Sequence, residues 1–156
     1  MRLTHLADYA VVLMTAAARQ PIGSRLSATE LSAETGVPLP TAQKLMGQLA
    51  GSGLLSSARG VSGGFALARP AADISLADIV EAVEGPIAMT VCSEGRSDCA
   101  LDAHCLVKPH MSIVGNAVRS ALGAVSLEQL SHSPTKIARQ IPREAWAPLS
   151  LGQQSA

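Results

Sequence analysis

The strongest constraint on the fold is the run from Ser27 to Pro40, SATELSAETGVPLP. Ser27 and Glu30 form a capping box. The serine hydroxyl accepts from the amide three residues on, and the glutamate reaches back to the serine amide. Gly36 suits the left-handed cap that ends a helix. The segment between therefore predicts one short helix. Val37, Pro38 and Leu39 leave room only for a tight turn. Pro40 then fits the first turn of a second helix, where its missing N–H is not needed. That helix is expected to run to about Ser52, burying Ala42, Leu45, Met46 and Leu49 and presenting Thr41, Gln43, Lys44, Gly47 and Gln48. Two short helices joined by a tight turn read as a helix-turn-helix.

The next residues sharpen that reading. Leu54 to Ala58 is strand-like, Arg59 to Gly64 is a glycine-rich turn, and Phe65 to Ala68 is a second strand. A hairpin directly after the second helix makes the unit a winged helix. Arg59 is placed at the base of the wing, where a cation can enter a minor groove. Gly60, Gly63 and Gly64 would also suit a phosphate-binding loop. No strand–loop–helix order with a Lys-Ser/Thr pair follows them, so they read as a hairpin turn.

Around this unit the chain is helical. A first helix is expected over about Leu3 to Ala18, with Leu3, Leu6, Ala7, Ala10, Val11, Met14 and Ala17 on its apolar face. A fourth helix, capped by Ser75 with Asp78 three residues on, buries Leu76, Ile79, Val80 and Val83 and stops at Gly85 and Pro86. Its acidic residues Asp78, Glu81 and Glu84 read as a solvated face. A longer helix is expected from about Pro109 to Val125. Val107, Met111, Val114, Val118, Ala121 or Leu122, and Val125 recur there at alternating four- and three-residue steps, which reads as the seam of a helix-paired, two-fold dimer; the alternative is a stripe that packs only within the chain. Ser126 to Gln129 caps a last short turn. Beyond Ser131, three prolines (Pro134, Pro142, Pro148) and few apolar anchors predict a loose tail. The fold class is mostly α with a small β-hairpin: a winged helix-turn-helix plus a long dimerisation helix. The divisions are 1–85 for the DNA-binding region, 86–106 for a cysteine-bearing loop, 107–130 for the dimerisation and terminal helices, and 131–156 for the tail.

Charge and cysteine usage set the chemistry. Formal net charge is zero, yet residues 1–70 hold six Lys/Arg against three Asp/Glu, and 71–107 hold one against seven. A basic first half suits a polyanion. No apolar run is long enough to span a membrane. His5 and Asp8 interrupt the apolar start, which reads as an amphipathic helix instead of a signal peptide, and the protein is expected in the cytoplasm. Cys92, Cys99 and Cys105 are separated by six and then five residues. Thiolates ligate iron–sulfur clusters and zinc, and the intervening SEGRSD and ALDAH are too polar for core. A redox thiol switch is the remaining alternative. A cluster needs a fourth ligand, for which His104, His110, Asp98, Asp102 and Glu94 are local candidates and Asp8 a distant one. No nucleophile–base pair or paired carboxylates stand on a cleft frame, which argues against an enzyme.

Several stretches together carry a resemblance. MRLTHLADYAVVLM, the run ETGVPLPTAQKLMGQLAGSGLLSSARGVSGGFALARP, the run ISLADIVEAVEGPIAMTVC and the three spaced cysteines resemble the iron–sulfur winged-helix regulators of the IscR, NsrR and RirA type, over about residues 1–130. The stretch EAVEGPIAMTVCSEG is most similar to regulators that accompany SUF-type cluster-assembly operons. The resemblance implies a homodimeric repressor that binds operator DNA, controls iron–sulfur cluster assembly or iron homeostasis genes, and carries a 2Fe-2S or 4Fe-4S cluster. It implies cluster thiolates at Cys92, Cys99 and Cys105, and DNA contacts at Arg2, Thr41, Gln43, Lys44 and Arg59. Asp8 coincides with the position that, in the nitric-oxide-sensing branch, supplies a fourth ligand from the partner subunit. The IscR branch uses a histidine three residues after the last cysteine. Here that residue is Lys108 and the next histidine is His110, so the departure favours Asp8 or an exogenous ligand. The same cysteines would also serve a nitric-oxide or redox-sensing repressor, and a cluster-free, partner-binding regulator is a further alternative.

Overall fold

The computed structural model describes residues 3–88, 90 and 105–132. Its elements are α1 (His5–Arg19), α2 (Ala28–Thr35), α3 (Leu39–Gly51), β1 (Leu55–Ala58), β2 (Gly64–Leu67), α4 (Leu76–Glu84), α5 (Lys108–Gly123) and α6 (Leu127–Ser131), with one 3-10 turn at Ala71–Asp73. Among the described residues the expected mostly helical architecture with one antiparallel hairpin is what the chain adopts. The strands pair from Leu55↔Leu67 to Ala58↔Gly64.

Local chemistry sets the helix starts. Thr4 caps α1 by accepting from the Ala7 amide. Complete capping boxes open α2 (Ser27/Glu30), α4 (Ser75/Asp78) and α6 (Ser126/Gln129). The start signal of α2 thus recurs twice more along the chain. Gly36 ends α2 in the left-handed conformation at φ 77°, where a side chain would be strained.

The core is aliphatic, as an aromatic content of 2% requires. Its largest fully buried side chains are Leu13, Met14, Leu31, Leu45, Met46, Leu49, Ile74, Ile79 and Leu127. They come from α1, α2, α3, α4, α6 and the residue before the Ser75 cap. Two backbone bonds bring the last helix back to the fourth: Leu76 N donates to Val125 O at 2.8 Å and Leu127 N to Ile74 O at 2.7 Å.

Three expectations are corrected. On α1 the buried face is Ala7, Ala10, Leu13, Met14 and Ala16, while Leu3 and Leu6 are 40% and 38% exposed. The helix is apolar around much of its circumference, so spacing alone did not fix which stripe faces inward. Packing against α2, α3, α4 and α6 selects the one centred on Leu13 and Met14. On α4 the acidic row is tethered instead of merely solvated. Arg69 lies 3.7 Å from Asp78, the Arg119 guanidinium grips Glu81, and the Thr4 hydroxyl donates to Glu84. On α5 the expected seam divides. Gly115 is buried and Met111, Val118 and Leu122 are half-buried on a helix packed against α4, whereas Val107, Ile113 and Val114 are 53%, 55% and 40% exposed.

Candidate nucleic-acid interface

The two helices of the motif are held by the core from below. In α3, Ala42, Leu45, Met46 and Leu49 are buried, the four positions expected. Val37, in the connecting turn, is 3% exposed and pins that turn to the core. The Ser32 hydroxyl donates to the Val37 carbonyl at 2.7 Å and so closes the turn from the α2 side. Leu39 and Pro40 open α3 with no side-chain cap, as Pro in a first turn permits. The opposite face carries Gln43, Lys44, Gly47 and Gln48, all exposed, with Thr41 half-buried at its edge. An anchored helix with amide and ammonium groups on its outer face presents the donors and acceptors that base edges and phosphates require.

The wing follows from α3 without a spacer. Ser52 ends the helix, and Gly53 (φ 78°) turns the chain into β1. Arg59 is exposed and follows the last residue of β1. It therefore opens the turn at the free end of the hairpin, and not the base where the sequence placed it. The turn is closed by Gly63 N donating to Gly60 O at 2.9 Å. A Cβ on Gly63 would come within 2.5 Å of the Ala58 carbonyl oxygen, which is why this tight return needs glycine. Sequence reasoning missed a further edge to the wing. Leu26 pairs with Phe65 in an antiparallel bridge, too short to leave a periodic signal. Arg25, exposed beside it, donates to Gly64 O.

The other expected site residues separate into two groups. Arg2, Cys92 and Cys99 lie outside the described residues, as do Glu94, Asp98, Asp102 and His104. Cys105 is described: half-buried, with a free thiol, three residues before α5 begins at Lys108. Asp8 is exposed on the first turn of α1, and His110 is exposed on the first turn of α5. Among the described residues no three His, Cys, Asp or Glu side chains converge as a metal site would.

Ionisation follows the caps and pairs. The Ser27 amide and hydroxyl hold Glu30 below the usual carboxylate range. Burial pushes Asp78 upward, but the hydrogen bonds of Ser75 and the charges of Arg69 and Arg119 outweigh it and leave Asp78 lowered. The Glu81 carboxylate raises Arg119 further above its already high value.

An outward-facing helix-turn-helix with a hairpin wing defines a DNA-binding regulator of the winged-helix class. Residues 3–133 match the Rrf2 family, described as iron-dependent transcriptional regulators, and the chain belongs to that family. The match fits the regulator type that the sequence resembles. The chain is 32% identical over 130 residues to the HTH-type transcriptional regulator IscR of Xenorhabdus nematophila, covering 83% of this chain and 79% of that one. Among solved structures, the oxidized form of Staphylococcus aureus CymR is similar at a TM-score of 0.62 and 25% identity, covering 85% of this chain and 98% of that chain. T. potens IscR shares the fold at a TM-score of 0.63 and 23% identity, covering 91% and 93%. The relatives are regulators of transcription, and the chain is one too, not an enzyme. No helix among the described residues is long and apolar enough to cross a membrane.

Proposed function

We propose that the protein is a cytoplasmic, homodimeric transcriptional repressor of iron–sulfur cluster assembly or iron homeostasis genes. The observation that carries the DNA-reading part is the two-sided build of α3, with four aliphatic residues locked in the core and Gln43, Lys44, Gly47 and Gln48 exposed opposite them. In this reading a dimer sets two α3 helices in successive major grooves. Gln43 pairs with an adenine edge, Thr41 meets a base or a thymine methyl, and Lys44 takes a guanine or a phosphate. Arg59 enters the minor groove, and Arg2 contacts a phosphate. The exposed aliphatic residues Val107, Ile113 and Val114 of the α5 region supply the surface that a second copy would cover.

The signal is assigned to the three thiols. Their number and the polar sequence around them fit an iron–sulfur cluster held by Cys92, Cys99 and Cys105, with Asp8 as candidate fourth ligand across the dimer. When bound, such a cluster supplies a centre sensitive to iron supply and to oxidants. Cys105 stands close before α5, so whatever holds its sulfur bears on the start of that helix. Arg119 ties the same helix to α4 and the DNA-binding body. A ligand that favours one arrangement of this connection shifts the population that binds DNA.

The test is to purify the protein without oxygen and assay iron, acid-labile sulfide and zinc per subunit beside a Cys92→Ala variant. Matching iron and sulfide, with visible bands lost in the variant, is the expected result. Colourless protein after reconstitution would remove the cluster and leave a regulator acting through thiols or a partner. Following operator binding during separate additions of nitric oxide and of an iron chelator then identifies the signal.

A further inference from the structure

We propose that Arg25 is a second cation of the wing, contacting a phosphate of the DNA backbone beside Arg59. This rests on the DNA-binding reading of the wing given above. Leu26 N donates to Phe65 O at 2.9 Å and Phe65 N to Leu26 O at 2.8 Å. Residues 25 and 26 thus lie against β2 as a third edge of the hairpin. From that edge Arg25 Nη1 donates to Gly64 O over a long 3.4 Å. Gly64 is the register partner of Ala58, and Arg59 is the next residue. Two arginines far apart in sequence are therefore brought against the same end of the hairpin. Both are exposed, and among the described residues neither is in an ion pair.

A guanidinium has five N–H donors in a fixed fork. One long bond to Gly64 leaves most of them for a second acceptor and holds the side chain along the wing. Two exposed cations at the same end of the hairpin present a joint positive charge to solvent. That charge attracts a polyanion, and a phosphodiester oxygen accepts from the Arg25 fork while Arg59 occupies the groove. Arg25 would then add affinity and orientation without adding sequence preference.

The test measures binding of a fluorescein-labelled mixed-sequence DNA duplex against salt concentration for the wild type, Arg25→Ala, Arg25→Gln and Arg25→Lys. Removing one cation from a phosphate makes the logarithmic salt slope shallower by about 0.9. The expected result is a shallower slope in the Ala and Gln variants, a near wild-type slope in the Lys variant, and unchanged melting midpoints. An unchanged slope in Arg25→Gln overturns the proposal even if affinity falls, because the residue would then only brace the hairpin. Should Arg25→Ala fail to fold, Arg25→Gln decides alone. If the wild type shows no salt-dependent binding, the wing reading itself is lost and this inference goes with it. That outcome is distinct from a wild type that binds while its variants keep the slope.

Discussion

Single residues fix the geometry of the wing and the chemistry of the outer face of α3. At Gly63 an added methyl meets the Ala58 carbonyl oxygen at 2.5 Å, the Gly60 carbonyl oxygen at 2.8 Å and the Arg59 carbonyl carbon at 3.0 Å. All three are backbone atoms, so nothing flexible can give way. Gly63→Ala is expected to cost roughly 1–3 kcal/mol, the scale of an overpacked site, and to weaken DNA binding through a displaced Arg59. Thermal melting and an operator titration check both. Gln43 is the opposite case. It is exposed and touches no core, so Gln43→Ala should leave the melting midpoint unchanged while weakening operator binding by about 1–3 kcal/mol, the value of one good base contact. Unchanged operator affinity would overturn its base-reading role. Both residues were identifiable from sequence, since a glycine-rich turn and an amphipathic helix are local patterns. The position of Arg59 at the free end of the hairpin was legible too, since the turn joining two consecutive strands is always the end where the chain reverses; placing Arg59 at the base overlooked that topology.

At the scale of elements, α4 is the joint between the DNA-binding body and α5. Arg119 Nε and Nη2 donate to the two Glu81 oxygens at 2.9 and 3.1 Å, and the Ile87 amide approaches the same carboxylate at 3.5 Å. The Arg119 side chain is 53% exposed. Such an exposed pair contributes little to stability and weakens in salt. Arg119→Ala should therefore leave the body folded but speed amide exchange along α5, an effect that high salt reproduces in the wild type. Equal exchange in both proteins would show that apolar packing alone holds the helix. The α5 sequence shows why a heptad-like pattern was insufficient. One helix buries one stripe against its own chain and exposes another, and the apolar residues of both stripes merge into a single pattern. Only the position of α4 assigns Gly115 to the inner stripe and Ile113 and Val114 to the outer one. The exposed stripe predicts that Ile113→Glu lowers self-association, as read by sedimentation, without lowering helix content.

For the molecule as a whole, the return of α6 closes the core. Leu127 is fully buried and joins Leu13, Ile74 and Ile79 in the same cluster. Leu127→Ala is expected to cost about 2–5 kcal/mol, the range for a buried leucine that leaves a cavity, as measured by denaturant unfolding. Acid should act through the caps. Glu30 and Asp78 have folded pKa values below their unfolded ones. Their contribution is therefore present above the unfolded values and is lost as pH falls through the lowered folded values. A melting midpoint that declines below about pH 4, and declines less in Glu30→Gln, is the expected profile. The sequence by itself determined the capped starts of α2, α4 and α6, the tight turn, the hairpin and the buried side of α3. Each depends on atoms within a few residues of one another, where capping, backbone conformation and helical spacing act. The tertiary structure alone decided which stripe of α1 turns inward, what the acidic row of α4 grips, that Leu127 completes the core, and that Arg25 reaches the wing. Those outcomes depend on elements distant in sequence competing for the same buried surface, and no local spacing encodes which of them wins.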